Sequence, residues 1–166
     1  MKIGIDFDDT IASTSEKVLE YLNKYNIKEF KNFEEKRTFY NKYIDNITEE
    51  LNLISNVKEV LDYLSKDNEL YIITARSNYY SNNLKKLTLD FINKNNLPIK
   101  EIYFDCFEQG KAYKCKELNI DLFIDDNINN CLEVKKLNID VILFNNNYDN
   151  LKSFDNWLDI LKYIKE

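Results

Sequence analysis

Three aspartates stand within four positions near the start of the chain, directly after a short apolar run. Residues 3–10 read IGIDFDDT, with carboxylates at Asp6, Asp8 and Asp9. Carboxylates this close together repel one another unless a cation compensates their charge. A hard divalent ion suits such a group, and Mg²⁺ in proteins is usually held by one or two carboxylates, waters and a substrate phosphate. The stretch therefore predicts a Mg²⁺ site that handles a phosphate.

Other polar residues also follow apolar runs of the strand type. Thr74, Ala75 and Arg76 come at the end of one run, and Asp125 and Asp126 end a later one. Taken singly, each residue is typical of a helix cap, a turn or a solvated surface. Because ligands bind beyond the carboxyl ends of parallel strands, their joint placement predicts one site at that edge of the sheet.

A lysine completes this set of residues. Lys111 follows Gly110 at the start of a predicted helix, where a helix N-terminus favours an anion. Lys114 and Lys116 are rivals that lack this position. Lys111, the Thr74 hydroxyl and nearby backbone N–H groups are therefore predicted to hold phosphoryl oxygens and to neutralise their charge.

The apolar pattern predicts an α/β fold with a doubly wound, mainly parallel sheet. Its short apolar runs do not alternate with polar residues, as expected of strands that are covered on both faces. Strand and helix runs follow one another along the chain, which is typical of doubly wound sheets. The predicted strands are 2–6, 70–74, 102–105, 122–126 and 141–144, and the predicted helices are 15–25, 56–66, 80–95, 111–118, 128–137 and 154–165.

One connection is too long for a simple strand–helix–strand unit. About sixty residues separate Thr10 from Leu70, whereas an ordinary connection uses one helix and loops of about two to six residues. Within this segment, residues 36–54 carry apolar side chains at helical spacing. We therefore expect a catalytic core formed by 1–14 and 56–166, with residues 15–55 inserted as a small helical cap above the end of the first strand.

Composition excludes several classes of function. The 166 residues carry a net charge of -6 and no basic run, which argues against a nucleic acid polymer as partner. The chain contains no histidine, so a Ser-His-Asp triad and a Cys-His pair are excluded. Three cysteines without close spacing indicate neither a disulfide framework nor a zinc site. Without a long apolar stretch or a signal-peptide pattern, we expect a cytoplasmic protein that does not enter the membrane.

Four segments together resemble the motifs of the haloacid dehalogenase (HAD) superfamily: DFDDT at 6–10, IITAR at 72–76, GKA at 110–112 and FIDD at 123–126. They stand in the same order as in that family and span nearly the whole predicted core. The form TAR, with a modest helical insertion after the first motif, is similar to the 5'(3')-deoxyribonucleotidase branch. The resemblance implies a Rossmann-like core with a cap, and a Mg²⁺-dependent phosphatase that acts through an aspartyl-phosphate.

The resemblance also implies a role for each motif residue. Asp6 would be the nucleophile and a metal ligand. Asp8 would be the general acid and base, with its backbone carbonyl on the metal, and we expect neighbouring carboxylates to raise its pKa. Asp9 is expected to be structural. Thr74, Ala75 and Lys111 would bind the phosphate, Asp126 is the first choice as a further metal ligand, and Asp125 is the second or acts through water.

The sequence says less about the substrate. A small phosphorylated metabolite is expected, with a nucleoside monophosphate as the first candidate and a sugar phosphate as the rival. Arg76 would contact the substrate or brace the acidic loop. Aromatic residues of the insertion would stack on a base or form the insertion's own core; they are Phe30, Phe33 and residues 39–43.

Two other classes of protein also fit part of the pattern. A receiver-type phosphoacceptor groups acids, a threonine and a lysine around Mg²⁺, and Asp105 would then be the acceptor. The long insertion after the first strand is foreign to that class. A non-catalytic binding module on the same scaffold is the other alternative. The sequence leaves the oligomeric state open.

Overall fold

A computed structural model of the chain describes residues 1–107 and 109–166. Within them, six strands form one sheet in the order β3-β2-β1-β4-β5-β6, and every pair of neighbours is parallel. The predicted doubly wound α/β fold is confirmed. The strands are β1 (Lys2–Ile5), β2 (Glu69–Ile73), β3 (Glu101–Tyr103), β4 (Leu122–Asp125), β5 (Asp140–Phe144) and β6 (Lys152–Phe154).

Both faces of this sheet are buried, which explains the unbroken apolar runs. Successive side chains of a strand point to opposite faces. Leu70 and Ile72 of β2 join the larger hydrophobic cluster, whereas Tyr71 and Ile73 join a smaller one. The smaller cluster also contains residues of the helices that precede and follow β4. The sheet is therefore the middle layer of the fold.

Seven helices are present in the described part of the chain. They are α1 (Thr14–Lys24), α2 (Phe33–Glu49), α3 (Val57–Leu64), α4 (Leu84–Lys94), α5 (Gly110–Leu118), α6 (Ile128–Lys135) and α7 (Trp157–Lys165). Capping residues account for boundaries that periodicity alone misplaced. The Asn156 side chain accepts a hydrogen bond from the Asp159 N–H, so α7 starts later than the predicted residue 154. In the described residues, no helix has the length and apolarity needed to cross a membrane.

The sixth strand was missed by the sequence prediction. β6 has only three residues, Lys152, Ser153 and Phe154, and it lies at the edge of the sheet beside β5. An edge strand this short has no apolar run for a periodicity argument to detect, because its outer side needs no covering. The prediction of a helix from residue 154 was therefore wrong at its first residues.

The segment between β1 and α3, which we call the insertion, has its two ends joined by backbone hydrogen bonds. The Ser13 N–H donates to the Asn52 carbonyl and the Ile54 N–H donates to the Ile11 carbonyl, at 3.0 and 2.9 Å. Its helices α1 and α2 pack on each other, and α2 also packs on α4. Buried residues of both helices belong to the larger hydrophobic cluster.

Candidate active site

Two carboxylates of the site are brought together by strand register. Ile5 of β1 pairs with Ile124 of β4, so Asp6 and Asp125 follow at the same level on neighbouring parallel strands. The Lys111 Nζ lies 2.7 Å from Asp6 Oδ1 and 2.8 Å from Asp125 Oδ2. All three side chains are at most 7% exposed. The site thus lies beside β1, where the order of the strands along the chain reverses, as expected for ligand sites of doubly wound sheets.

Asp125 is held in place by the start of α6. Its Oδ1 accepts the Asn127 N–H at 2.8 Å, and its Oδ2 accepts the Asn130 side-chain amide at 3.0 Å. Asn127 also caps the helix, because its side chain accepts the N–H groups of residues 129 and 130. Asp125 therefore has a fixed orientation with its oxygens already engaged.

Asp126 adds a third carboxylate to Asp6 and Asp125. Asp6, Asp125 and Asp126 each offer an oxygen, and these oxygens lie within 4.8 Å of one another. Burial and then Asp125 raise the pKa of Asp6 well above its ordinary value, although Lys111 opposes them. Burial, Asp125 and Asp9 raise the pKa of Asp126 to about 7. Three acids beside one lysine thus form a site that lacks positive charge, and their hard oxygen donors fit Mg²⁺.

The raised pKa of Asp126 predicts how stability changes with pH in metal-free protein. The folded state holds this proton up to about pH 7, whereas an unfolded aspartate loses it near about pH 4. Between these values only the folded state is protonated, so the free energy of unfolding falls as pH rises. The melting temperature of wild type should therefore drop relative to that of Asp126→Asn between about pH 4 and pH 7, measured in chelator.

The asparagine variant is the reference because it keeps the shape of Asp126 and cannot ionise. At the acid end of the range the two proteins should melt at similar temperatures, and at the alkaline end the variant should be the more stable one. Added Mg²⁺ should stabilise wild type more at the alkaline end, since no proton has to be displaced. A difference in melting temperature that stays constant across the range would contradict this assignment of Asp126.

Asp8 follows Phe7 in the sequence, and its carboxylate contacts the buried guanidinium of Arg76. Arg76 Nη2 is 2.8 Å from Asp8 Oδ1, and the Thr14 hydroxyl donates to the same oxygen at 2.6 Å. Burial would raise the pKa of Asp8, but the charge and hydrogen bonds of Arg76 and the bond from Thr14 outweigh it and lower the pKa. The expectation that neighbouring carboxylates raise the pKa of Asp8 was wrong, because the charge that dominates at this position is that of Arg76.

Asp9 has a structural part in the loop. Its backbone is left-handed at φ 55°, a conformation that aspartate tolerates better than most residues. Its carboxylate accepts the N–H of Ser15 at 2.8 Å and also the Ser15 hydroxyl. These contacts tie the turn after β1 to the first turn of α1.

The remaining sequence-predicted residues follow β2 and β3. Thr74 is fully buried, and its hydroxyl accepts the Arg76 N–H at 3.1 Å, while Ala75 between them is exposed. Asp105, the residue that a receiver-type protein would use, is 48% exposed and pairs with Lys85. The carboxylate group around Lys111 consists of the other acids, so Asp105 lies outside it.

In the described part of the chain, two clefts open on the loop after β1 that carries Asp8 and Asp9. One has a volume of about 600 Å³ and is lined by Asp9 and Asp126 among other polar residues. The other, of about 590 Å³, adjoins Asp8, Ala75 and Arg76. We call the second the aromatic cleft, because its lining includes Phe33, Tyr40, Tyr79, Tyr80 and Phe107.

Several residues around the site were not found by sequence reasoning. Asn127 carried a usable signal, since an asparagine before a helical run is typical of a helix cap. Thr14, Thr48 and Thr88 carried none, because ordinary helix threonines acquire their contacts with Asp8 or Arg76 only in the folded chain. Asn130 is placed by the first turn of α6, which again depends on the fold.

Comparison with curated proteins finds relatives that are named as nucleotidases. The chain is 33% identical over 136 residues to a nucleotidase of Clostridium acetobutylicum, covering 76% of this chain and 67% of the relative. It is 28% identical over 190 aligned positions to YqfW of Bacillus subtilis, provisionally named a nucleotidase, covering 99% and 93% of the two chains. No protein-family profile matches the chain.

Solved structures share the fold at low sequence identity. A haloacid dehalogenase-like hydrolase of Streptococcus pneumoniae superposes with a TM-score of 0.72 at 13% identity, covering 98% of this chain and 97% of that one. A HAD hydrolase of Bacillus subtilis, solved bound to magnesium, superposes with a TM-score of 0.67 at 12% identity, covering 99% and 98%. At these identities the similarity shows the Rossmann-like fold of that superfamily.

Proposed function

Given that the chain belongs to the haloacid dehalogenase superfamily, together with its nucleotidase-named relatives, we propose that it is a Mg²⁺-dependent phosphomonoesterase that acts through an aspartyl-phosphate on Asp6. The observation that carries this proposal is the convergence of Asp6, Asp125 and Asp126 beside Lys111. Asp8 stands two residues after Asp6, with its carboxylate on Arg76. The ion would be held by Asp6, by Asp126 and by the backbone carbonyl of Asp8. Asp125 would bind it directly or through water. When bound, Mg²⁺ would supply positive charge for the phosphoryl oxygens.

The first step transfers the phosphoryl group to Asp6. An Asp6 oxygen forms a bond to phosphorus while the bond from phosphorus to the ester oxygen breaks. Asp8 gives a proton to that leaving oxygen, which takes the bonding electron pair. Asp8 is a carboxylate in the substrate-free protein, and the negative charge of an arriving phosphate raises its affinity for the proton it must carry. Thr74, the Ala75 N–H and Lys111 hold the phosphoryl oxygens.

The second step releases phosphate and restores Asp6. A water molecule attacks phosphorus, Asp8 takes the proton from that water, and the bond between phosphorus and the Asp6 oxygen breaks. Lys111 keeps the freed Asp6 carboxylate paired, as in the substrate-free site. Asp8 thus acts as acid and then as base, which requires the same carboxyl group to face the ester oxygen and the water.

The leaving group is proposed to be a nucleoside that occupies the aromatic cleft. That cleft adjoins Asp8, the proposed proton donor to the leaving oxygen, and its size is typical of sites for small molecules. Phe33 and Tyr79 are each 61% exposed there, so their rings are free to stack on a flat base. Phe39, in contrast, is buried in the larger cluster. In this proposal residues 15–55 form a cap that selects the leaving group.

Phosphate release from a panel of substrates tests this proposal. With Mg²⁺ present, nucleoside monophosphates should be hydrolysed with a higher kcat/KM than sugar phosphates. The variant Phe33→Ser should raise KM for nucleoside monophosphates about tenfold, since stacking on a base contributes about 1–3 kcal/mol. KM for a generic aryl phosphate should change much less.

Leu19→Ser is the matched control, because Leu19 is an exposed apolar residue of the insertion at 56% exposure and does not line the aromatic cleft. Its kinetic constants should equal those of wild type. A preference for sugar phosphates that Phe33→Ser leaves unchanged would favour the rival substrate class. No Mg²⁺-dependent phosphate release from any substrate of the panel would overturn the phosphatase proposal and favour a binding module.

A further inference from the structure

Arg76 is a buried cation whose contacts reach three parts of the fold. Its side chain is 4% exposed. Nε lies 3.1 Å from both carboxylate oxygens of Asp8, and Nη2 lies 2.8 Å from Asp8 Oδ1. Nη1 donates to the hydroxyls of Thr48 and Thr88, each at 3.1 Å. Thr48 belongs to α2 of the insertion and Thr88 to α4 of the core.

These contacts occupy most of the hydrogen-bond donors with which the guanidinium could bind a substrate. It has five N–H donors, and the bonds to Asp8, Thr48 and Thr88 use four of them. One face of the group lies over the Phe7 ring, with Cζ 4.6 Å from the ring centroid. The Thr88 hydroxyl donates to the Leu84 carbonyl at 2.7 Å, so it offers only a lone pair to Arg76.

We infer that Arg76 is a positioning residue that fixes the Asp8 carboxyl group for proton transfer, and that Thr48 of the insertion helps to hold it in that position. The inference rests on the proposed function, since it assigns Asp8 as the group that protonates the leaving oxygen. The planar fork of an arginine can hold a carboxylate at a set angle, which a lysine cannot do. Because Thr48 belongs to α2, the insertion takes part in holding Asp8 as well as in forming the cleft.

The test compares substrates that differ in their need for an acid. An aryl phosphate has a good leaving group and depends little on protonation, whereas an alkyl phosphate or a nucleoside monophosphate depends on it strongly. The constant to measure is kcat/KM, because it reports the steps up to departure of the leaving group. Arg76→Lys should lower kcat/KM for the nucleoside monophosphate about 10- to 100-fold and for the aryl phosphate less than about threefold.

Three further variants test whether Arg76 acts through Asp8 and with the help of Thr48. Thr48→Val, which keeps the contact between Arg76 and Asp8, should show the same selectivity with a loss of about threefold. Adding Arg76→Lys to Asp8→Asn should cause no further loss, because a residue that acts through Asp8 has nothing to position once the acid is gone. Arg37→Lys is the matched control, since Arg37 is an exposed arginine on α2, the helix that carries Thr48.

The results separate the possible roles. Equal losses on both substrates would show that Arg76 supports only the fold, and a full further loss in the Asp8→Asn background would show that it contacts the substrate. Either result overturns the inference. If Arg76→Lys does not fold, the selectivity of Thr48→Val decides in its place, and equal losses there again overturn it. An inactive wild type would overturn the proposed function itself, which is a distinct result.

Discussion

Asp6→Asn is expected to remove phosphatase activity, with kcat reduced about 10⁴-fold or more, because the variant loses the proposed nucleophile. The fold should survive the change. Ionised Asp6 is disfavoured by its burial and by Asp125, so an uncharged side chain relieves repulsion in metal-free protein. The melting temperature in chelator should therefore be equal to or above that of wild type, and the stabilisation by Mg²⁺ should decrease.

Two neighbouring acids provide controls for this variant. Asp9→Asn makes the same chemical change in the same loop, and asparagine tolerates the left-handed backbone found there. Its activity should stay within about tenfold of wild type, because Asp9 only holds the turn after β1 and such hydrogen bonds contribute about 1 kcal/mol each. Asp105→Asn should also be active, because Asp105 lies outside the carboxylate group. Loss of activity in Asp105→Asn with a fully active Asp6→Asn would instead favour a receiver-type mechanism.

Lys111→Met is expected to be the most destabilising of the site variants. It leaves the Asp6 and Asp125 carboxylates buried without the lysine that now lies within 2.8 Å of both. Breaking a buried ion pair by removing one partner costs about 3–5 kcal/mol, so the melting temperature in chelator should fall by about 10 °C. Mg²⁺ should recover part of this loss by replacing the missing positive charge. Activity should fall as well, because Lys111 is one of the proposed ligands of the phosphoryl oxygens.

Lys114→Met controls for the loss of a lysine from the same helix. Lys114 pairs with Glu117 on the surface of α5, and such pairs contribute at most about 1 kcal/mol. Its melting temperature and activity should therefore be close to those of wild type. Equal effects of the two substitutions would contradict the role given to Lys111. Lys111→Arg, which keeps the charge, should lose less stability than Lys111→Met.

The central part of this site was predictable because it depends on strand ends. Asp6 and Asp125 each follow an apolar run, and parallel strands bring such positions to one edge whatever the details of packing. Lys111 was predictable for a similar reason, since a glycine and a lysine open the helix just before β4. The resemblance of four motifs to one superfamily then added the roles. The architecture of the sheet followed from the same unbroken apolar runs.

Features that depend on long-range contacts could not be predicted. The partners of Arg76 come from positions 8, 48 and 88, and no local pattern connects them. The direction of the Asp8 pKa shift followed from that contact, so reasoning from its acidic neighbours gave the opposite sign. Tertiary packing also decides which aromatic residues of the insertion line the cleft and which are buried in the core. Phe33 reaches the cleft, whereas Phe39 joins the core.

The most direct test of the central claim is to trap the phosphorylated residue during turnover. Wild type is mixed with an aryl phosphate and Mg²⁺, quenched in acid, and reduced with borohydride, which converts an aspartyl-phosphate into homoserine. Peptide mass spectrometry then locates the converted residue. We predict homoserine at position 6, and none without Mg²⁺ or in Asp6→Asn. Conversion at Asp105, at Asp125 or at no aspartate of an active enzyme would contradict it.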